Sequence, residues 1–254
     1  MLPEEMATDV VALNELKRET QKSRKLSHPH IVRTHDLVHI DGETPFISME
    51  YIDGSMLETM RLEREPQIFQ WEELEKLVLQ LCEALDYAHR QKIVHRDIKP
   101  SNMMVNGDGE LKIADFGIAA TMADSLSRSS MRNVISGTAT YMSPQQLSGE
   151  VPRATDDIYA VGATIYELIT CRPPFFSGDL TYQVIHKDPQ PVMERLAEYG
   201  IENDVPDYVC ELVMACLAKE AAMRPQNASV MVDWIRSKGQ SGELVSVGDA
   251  TAAS

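Results

Sequence analysis

The sequence is poor in cysteine and aromatic residues, and it has no long apolar run. Aromatic residues make up 6% of the chain, and none of its four cysteines forms the close pairs that zinc and redox sites use: Cys82, Cys171, Cys210 and Cys216. Isolated thiols of this kind are typical of reduced, buried cysteines, so we predict a cytoplasmic location. The apolar runs fall short of the ~20 residues that a membrane helix needs, and the acidic N-terminus does not resemble a secretory signal. We therefore expect neither a membrane span nor export.

Positive charge is also scarce. Lysine and arginine total 24 against 39 aspartates and glutamates, which gives a formal net charge of −15. A chain this acidic repels phosphate backbones, and no cluster of lysine and arginine is dense enough to attract nucleic acid or anionic lipid. With 43% hydrophobic residues, however, the chain can bury a large core. We predict a globular protein that does not bind nucleic acid.

Hydrophobic periodicity and turn residues predict helices and two β-hairpins. Residues 8–26 are predicted to form a helix that stops at His28-Pro29, and two β-rich runs joined by Asp41-Gly42 predict the first hairpin. The second hairpin is predicted around residues 106–109. The longest helix is predicted from one apolar stripe, formed by Trp71, Leu74, Leu77, Val78, Leu81, Leu85 and Ala88. Other helices are predicted over 55–63, 156–170, 205–217 and 228–235.

The segment HRDIKPSN, from His95 to Asn102, places a carboxylate, an ammonium and an amide in one loop after the longest helix. Phosphoryl transfer from a nucleotide needs a proton acceptor for the hydroxyl, a cation beside the moving phosphoryl, and oxygen ligands for magnesium. Asp97, Lys99 and Asn102 have those chemistries. Farther on, the run Asp115-Phe116-Gly117 sets a carboxylate beside a glycine, which suits a Mg²⁺ ligand.

These two motifs, in this order and spacing, resemble the signature of the protein kinase family. The resemblance implies an α+β, protein-kinase-like fold with an incomplete β-rich N-lobe (1–52) and a mainly helical C-lobe (53–236), while the small and polar residues of 237–254 predict a disordered tail. It also implies ATP and Mg²⁺ as cofactors. Asp97 would then accept the hydroxyl proton and Lys99 would steady the γ-phosphoryl, while Asn102 and Asp115 would hold the metal.

Further positions match the family residue by residue. Thr138, in SGTATYMSPQQL, resembles the threonine that contacts the catalytic aspartate and lysine. Asp157 resembles the aspartate that anchors the catalytic loop, and a helix N-cap is the alternative. For the nucleotide, the resemblance implies Glu19 on the first helix, Met49 as gatekeeper, the backbone of Glu50 and Ile52 at the adenine edge, and Met104 under the adenine ring. The alternatives are a solvated helix charge for the glutamate and a plain core residue for the second methionine.

Lys99 and the run GT-x-x-Y-M-S-P resemble the serine/threonine branch of the family. This implies protein substrates with serine or threonine hydroxyls. Arg96 suggests regulation, because a phosphate on the activation segment could pair with its guanidinium. Ser129 and Ser130 are the candidates for self-phosphorylation, and a merely solvated serine-rich loop is the alternative.

Two features depart from the family pattern. The glycine-rich loop and the strand lysine that begin a kinase are not found in these 254 residues. We expect either that the natural protein is longer and Met1 is an internal methionine, or that the chain is a truncated pseudokinase or interaction scaffold. Gln145 stands where the family has a glutamate that pairs with an arginine, here Arg224. Losing the ionic part should weaken this anchor by about 1–3 kcal/mol, so Gln145→Glu is expected to raise thermal stability.

Overall fold

The chain folds into helices around two small sheets. The computed structural model describes residues 10–38, 45–116, 139–240 and residue 244. Within these ranges the strands are β1 (Thr34–Val38), β2 (Phe46–Met49), β3 (Gly54–Met56), β4 (Met103–Asn106) and β5 (Leu111–Ile113). The helices in the same ranges are α1 (Val10–Ser23), α2 (Leu57–Leu62), α3 (Trp71–Arg90), α4 (Pro144–Leu147), α5 (Ala154–Thr170), α6 (Leu180–His186), α7 (Val192–Tyr199), α8 (Asp207–Cys216) and α9 (Ala228–Arg236).

The first helix packs on a two-stranded sheet. β1 and β2 are antiparallel, with Leu37 opposite Ile47. Leu16 of α1 is fully buried and packs against both of these residues and against Leu13. The two strands of the first predicted hairpin are confirmed, whereas its predicted turn at Asp41-Gly42 lies outside the described residues.

The second sheet has three antiparallel strands, with β4 between β3 and β5. The predicted β4–β5 hairpin is confirmed. The helix predicted over 55–63 begins later, at Leu57, because Gly54–Met56 pairs with β4 as a strand. Gly54 makes this pairing possible, since a Cβ atom at that position would collide with the carbonyl oxygen of Val105.

Backbone hydrogen bonds tie the second sheet to the segment that follows α1. The N–H of Val32 donates to the carbonyl oxygen of Ile113, and the N–H of Ile113 donates to that of His30, both at 2.9 Å. The Nδ1 atom of His30 also lies 3.0 Å from the carbonyl oxygen of Leu111. The strand that leads to Asp115 is therefore fixed from the N-terminal side.

The core of the helical half surrounds α5, in which every residue from Thr155 to Thr170 is buried. α5 packs closely on α8, because a Cβ atom at Gly162 would lie 2.6 Å from the Cβ atom of Cys216. All seven residues of the predicted apolar stripe on α3 are buried, which confirms that prediction. The four cysteines are free thiols, and burial raises the pKa of Cys82 to about 12.

Three helices were not predicted from the sequence, namely α4, α6 and α7. They contain 4, 7 and 8 residues, so a 3.6-residue period has too few turns in which to appear. Two of them carry a cap signal that a local search can find: the side chains of Ser143 and Asp179 accept from the N–H groups three residues later. Among the helices of the described ranges, none is long and apolar enough to cross a bilayer.

Candidate active site

The loop between α3 and β4 gathers three of the predicted site residues. The Nζ atom of Lys99 lies 3.0 Å from Oδ1 and 2.9 Å from Oδ2 of Asp97. The Nδ2 atom of Asn102 donates to the Asp97 Oδ2 at 2.8 Å and to the Asp97 carbonyl oxygen at 2.7 Å. Asp97 is only 6% exposed, so an ammonium and an amide hold its carboxylate in one orientation.

Asp115 reaches the same loop from the end of β5. The peptide groups of the preceding Ala114 are held on both sides: its N–H donates to the carbonyl oxygen of Asn102 at 3.0 Å, and its carbonyl accepts from His95 Nε2 at 2.8 Å. Phe116 is buried with its ring centroid 4.5 Å from that of His95. Asp115 itself has a φ of +65°, which is unfavourable for a residue with a side chain. These contacts hold the backbone of Asp115 in an otherwise unfavoured conformation beside the loop.

Two side chains at this end of the site, Asp115 and Asn102, carry oxygen atoms that can bind a cation. Burial raises the pKa of this carboxyl above its ordinary value; His95 and Lys99 oppose the rise, and Asp97 adds to it. Because the amide nitrogen of Asn102 is turned towards Asp97, its oxygen is available on the opposite side. Carboxylate and amide oxygens are the ligands that Mg²⁺ prefers, usually together with substrate phosphates. In the described ranges no cluster of three or more His, Cys, Asp or Glu side chains could hold a metal.

Asp157 of α5 anchors the loop from the helical core. Its two carboxylate oxygens accept from the N–H groups of His95 and Arg96, each at 2.8 Å, and Oδ2 also lies 2.7 Å from His89 Nε2. Burial favours the neutral acid, yet these hydrogen bonds and the nearby imidazoles hold the pKa of Asp157 below its ordinary value. The anchor predicted for this residue is confirmed. The N-cap alternative is wrong, because Arg153 is the N-cap of α5.

The residues predicted to bind the nucleotide lie outside the loop between α3 and β4. Glu19 forms an ion pair with Lys22 on its own helix, with 2.7 Å between Oε1 and Nζ. Met49 ends β2 and is 38% exposed. Met104 lies on β4, the central strand of the second sheet, and is partly buried.

Glu50 and Ile52 lie in the connection from β2 to β3. The N–H of Glu50 donates to the carbonyl oxygen of Arg33 at 2.8 Å, so the backbone group of Glu50 that suits the predicted adenine contact is its carbonyl. The carboxylate of Glu50 is directed towards β5, where Oε1 lies 3.0 Å from Lys112 Nζ. Ile52 is 9% exposed. Three predicted residues of the activation segment, Ser129, Ser130 and Thr138, lie outside the described residues.

A buried polar network close to the loop was missed by sequence reasoning. Arg61 Nη2 lies 3.0 Å from Glu167 Oε1, and both side chains are 8% exposed. The hydroxyl of Tyr141 donates to the second oxygen of Glu167, and burial raises the pKa of this carboxyl. The network joins the segment before α4 to α2 and α5. Its sequence signal is the glutamate within the apolar run IYELIT, because a buried charge needs partners.

Gln145 contacts Arg224, as predicted. The Nη2 atom of Arg224 donates to Gln145 Oε1 at 2.6 Å, while Gln145 Nε2 donates to the carbonyl oxygen of Lys219 at 3.0 Å. The fully buried guanidinium also lies 3.8 Å from an oxygen of Asp156. Arg224 therefore has the carboxylate of Asp156 nearby. The side chain of Gln145 suits its position because it accepts from Arg224 and donates to the carbonyl oxygen of Lys219.

This geometry reduces the gain expected from Gln145→Glu. A glutamate at this position would form an ion pair with Arg224, but it would lose the hydrogen bond to the carbonyl oxygen of Lys219 and place a carboxylate oxygen against that carbonyl. Because these effects oppose each other, we expect the free energy of unfolding to change by less than about 1 kcal/mol. Gln145→Met, which keeps the length and removes both hydrogen bonds, should cost about 1–3 kcal/mol. Urea unfolding of the three proteins measures both changes. Equal effects of the two substitutions would contradict the role given to these hydrogen bonds.

Comparison with known families identifies the family to which a chain with this arrangement of residues belongs. The family model described as the protein kinase domain matches residues 3–235. The chain belongs to the protein kinase family. Membership implies ATP and a divalent metal as cofactors in general, and the donor set around Asp115 fits such a metal. Both motifs that carried the resemblance lie within the matched residues.

Similar proteins include named bacterial kinases. A probable serine/threonine-protein kinase of Corynebacterium efficiens is 35% identical over 237 residues, which cover 91% of this chain and 35% of the relative. The serine/threonine-protein kinase PknB of Mycobacterium leprae is 35% identical over 243 residues, covering 93% of this chain and 38% of the relative. The chain thus spans little more than a third of the length of the curated relatives it matches.

Solved structures confirm the fold class. The crystal structure of the PknI kinase domain of Mycobacterium tuberculosis superposes with a TM-score of 0.72 at 26% identity, and the match covers 93% of this chain and 83% of that chain. The predicted α+β, protein-kinase-like fold with a mainly helical C-lobe is therefore correct.

Proposed function

We propose that this chain is the catalytic region of a serine/threonine protein kinase that transfers the γ-phosphoryl of ATP to serine or threonine hydroxyls of proteins. The observation that carries the proposal is the carboxylate of Asp97 held by Lys99 and Asn102, with Asp115 tied to the same loop. The serine/threonine names of the relatives support it. We further propose a partial N-lobe over 1–52, a C-lobe over 53–236, a tail over 237–254 and a cytoplasmic location.

Within this proposal each residue of the loop has its own role in the reaction. Asp97 orients the substrate hydroxyl and accepts its proton, since its carboxylate is fixed and its oxygens are proton acceptors. Lys99 stays beside Asp97 and offsets negative charge on the transferring phosphoryl group. Thr138 is proposed to contact these two side chains from the activation segment.

The cofactor side of the site is assigned in the same way. Asn102 Oδ1 and the Asp115 carboxylate are the proposed ligands of Mg²⁺. When bound, Mg²⁺ neutralises charge on the ATP phosphates. Met49, Met104 and the backbone of Glu50 and Ile52 are the proposed contacts of adenine. Glu19 of α1 is proposed as the carboxylate that, in active kinases, pairs with the lysine of the preceding strand.

Turnover is tested directly with the purified chain. We expect ATP and Mg²⁺ to support phosphorylation of a generic basic protein, and Asp115→Asn to abolish it while thermal stability changes little. Asp108→Asn is the matched control, because this exposed aspartate lies in the turn after β4. Failure of the unchanged chain to bind ATP and transfer phosphate would favour the alternative of an interaction scaffold only if no in-frame glycine-rich loop and strand lysine were encoded upstream of the Met1 codon, because both parts hold the ATP phosphates in a kinase. That alternative has less support, because the relatives are named kinases and the loop residues remain mutually bonded.

Self-phosphorylation of the activation segment is a separate prediction. Arg96 adjoins Asp97, and its Nε atom is buried with no hydrogen-bond partner among the described residues. This N–H group can therefore donate a hydrogen bond to a phosphate. After incubation with ATP and Mg²⁺, we expect phosphopeptides that contain Ser129 or Ser130, and none from the double variant Ser129→Ala, Ser130→Ala. Mass spectrometry of residues 121–140 checks this. An unmodified segment in a chain that phosphorylates other proteins would refute it.

A further inference from the structure

A cleft of about 480 Å³ opens on a face that the catalytic loop does not line. It lies between the segment after α1, the start of β1, and β5. Leu26 and Ile31 form its buried apolar floor. Its walls are polar and are formed by Ser27, His28, Arg33, His35, Glu50 and Lys112.

The cleft already holds one carboxylate. Glu50 Oε1 lies 3.0 Å from Lys112 Nζ, and Oε2 accepts from the backbone N–H of Arg33 at 3.1 Å. Burial opposes ionisation of Glu50, yet these two hydrogen bonds keep the pKa of its carboxyl below the ordinary value. The surroundings therefore stabilise an anion at this place.

The cleft retains positive charge beyond what Glu50 neutralises. The side chain of Arg33 is exposed, and its hydrogen bond within the described ranges is a long one, 3.4 Å from Nη2 to Ser27 Oγ. The ring of His28 is fixed by stacking on Tyr87 at 5.2 Å between centroids. One guanidinium and one ammonium thus line the cleft with a single carboxylate, on a chain whose net charge is −15, whereas burial lowers the pKa of the His28 imidazole and favours its neutral form.

We propose that this cleft is a second ligand site, for a phosphate monoester dianion. A guanidinium fork and an ammonium are the side chains that bind phosphate most strongly, and imidazoles add further donors. A dianion carries more charge than the Glu50 carboxylate and competes with it for Lys112, while repulsion from this carboxylate opposes the binding. The cavity volume lies in the range of small-molecule sites and accommodates a phosphorylated side chain or a small phosphorylated metabolite. The site does not depend on the kinase activity proposed above.

Titration of the intact chain with inorganic phosphate tests the proposal, with the backbone amide shifts of Ser27, His35 and Lys112 as the readout. We expect Arg33→Gln and Lys112→Gln to raise the dissociation constant at least about ten-fold each. Arg24→Gln is the matched control, because this exposed arginine pairs with Asp36 outside the cleft, and it should change the constant less than about two-fold. Glu50→Gln should tighten binding, because it removes the competing charge.

The source of the phosphate is distinguished by two further ligands. A phosphoserine peptide that binds about ten-fold more tightly than inorganic phosphate, with no binding of its unphosphorylated form, identifies a protein-borne phosphate. Equal affinities for inorganic phosphate and the phosphopeptide identify a free phosphate or small ester. Both results support the site. The proposal is overturned if phosphate shifts the amide of Lys99 instead of the cleft amides, or if Arg33→Gln, whose side chain is exposed and whose fold should persist, leaves the affinity unchanged.

Discussion

Asp97→Asn should lower the rate of phosphoryl transfer by about 10²- to 10⁴-fold, the usual contribution of a positioned proton acceptor. An amide cannot take the hydroxyl proton. Its NH₂ group also faces Lys99 Nζ or Asn102 Nδ2, which are donors themselves, so the hydrogen bonds that fix the side chain are weakened. ATP affinity should change little, because the proposed metal ligands Asn102 and Asp115 remain.

Steady-state kinetics separate these effects, since the turnover number should fall while the Michaelis constant for ATP stays near that of the unchanged chain. Asp108→Asn removes one negative charge from an exposed turn and serves as the control for net charge. An Asp97→Asn protein that retained its turnover within about three-fold of the unchanged chain would exclude the role proposed for Asp97.

Asp157→Ala should destabilise the fold by about 3–5 kcal/mol, because it removes the acceptor of two backbone N–H groups inside the core. The N–H groups of His95 and Arg96 and the ring of His89 would all lose their partner. Arg96 has a φ of +70°, a conformation that the hydrogen bond to Asp157 helps to maintain. We expect the activity of the remaining folded protein to fall as well, since Asp97 follows directly.

Urea unfolding measures this loss, and Asp157→Asn should show a smaller one because its amide oxygen still accepts one of the hydrogen bonds. Asp233→Ala provides the matched control on the exposed face of α9 and should change stability by less than about 0.5 kcal/mol. If Asp157→Ala proved as mild as this control, the loop would have to be held by contacts other than the ones described.

Elements with a long or strongly marked pattern could be predicted from the sequence. The stripe on α3 repeats over five turns, and the turn residues between β4 and β5 mark a hairpin without ambiguity. Gly54–Met56 could not be predicted as a strand, because three residues show no alternation and their state depends on pairing with a distant strand. The short helix α4 depends in the same way on the contact of Gln145 with Arg224.

The grouping of side chains could be predicted where they lie in one stretch of the sequence. The spacing in HRDIKPSN placed Asp97, Lys99 and Asn102 in one loop, and the structure joins them by hydrogen bonds. The partner of Asp157 could not be derived from periodicity, because it lies 61 residues away along the chain. The Arg61–Glu167 pair was missed for the same reason, since the two residues are 106 positions apart.

Ala114 offers no functional group of its own, yet the connection between the two halves of the proposed site passes through its peptide groups. Because Asn102 and His95 bind its backbone rather than its side chain, replacing its methyl group leaves both hydrogen bonds in place. A survey of side-chain substitutions would score this position as ordinary packing. The positions of Asp97 and Asp115 relative to each other are thus linked through backbone hydrogen bonds of Ala114, which the identity of its side chain does not reveal.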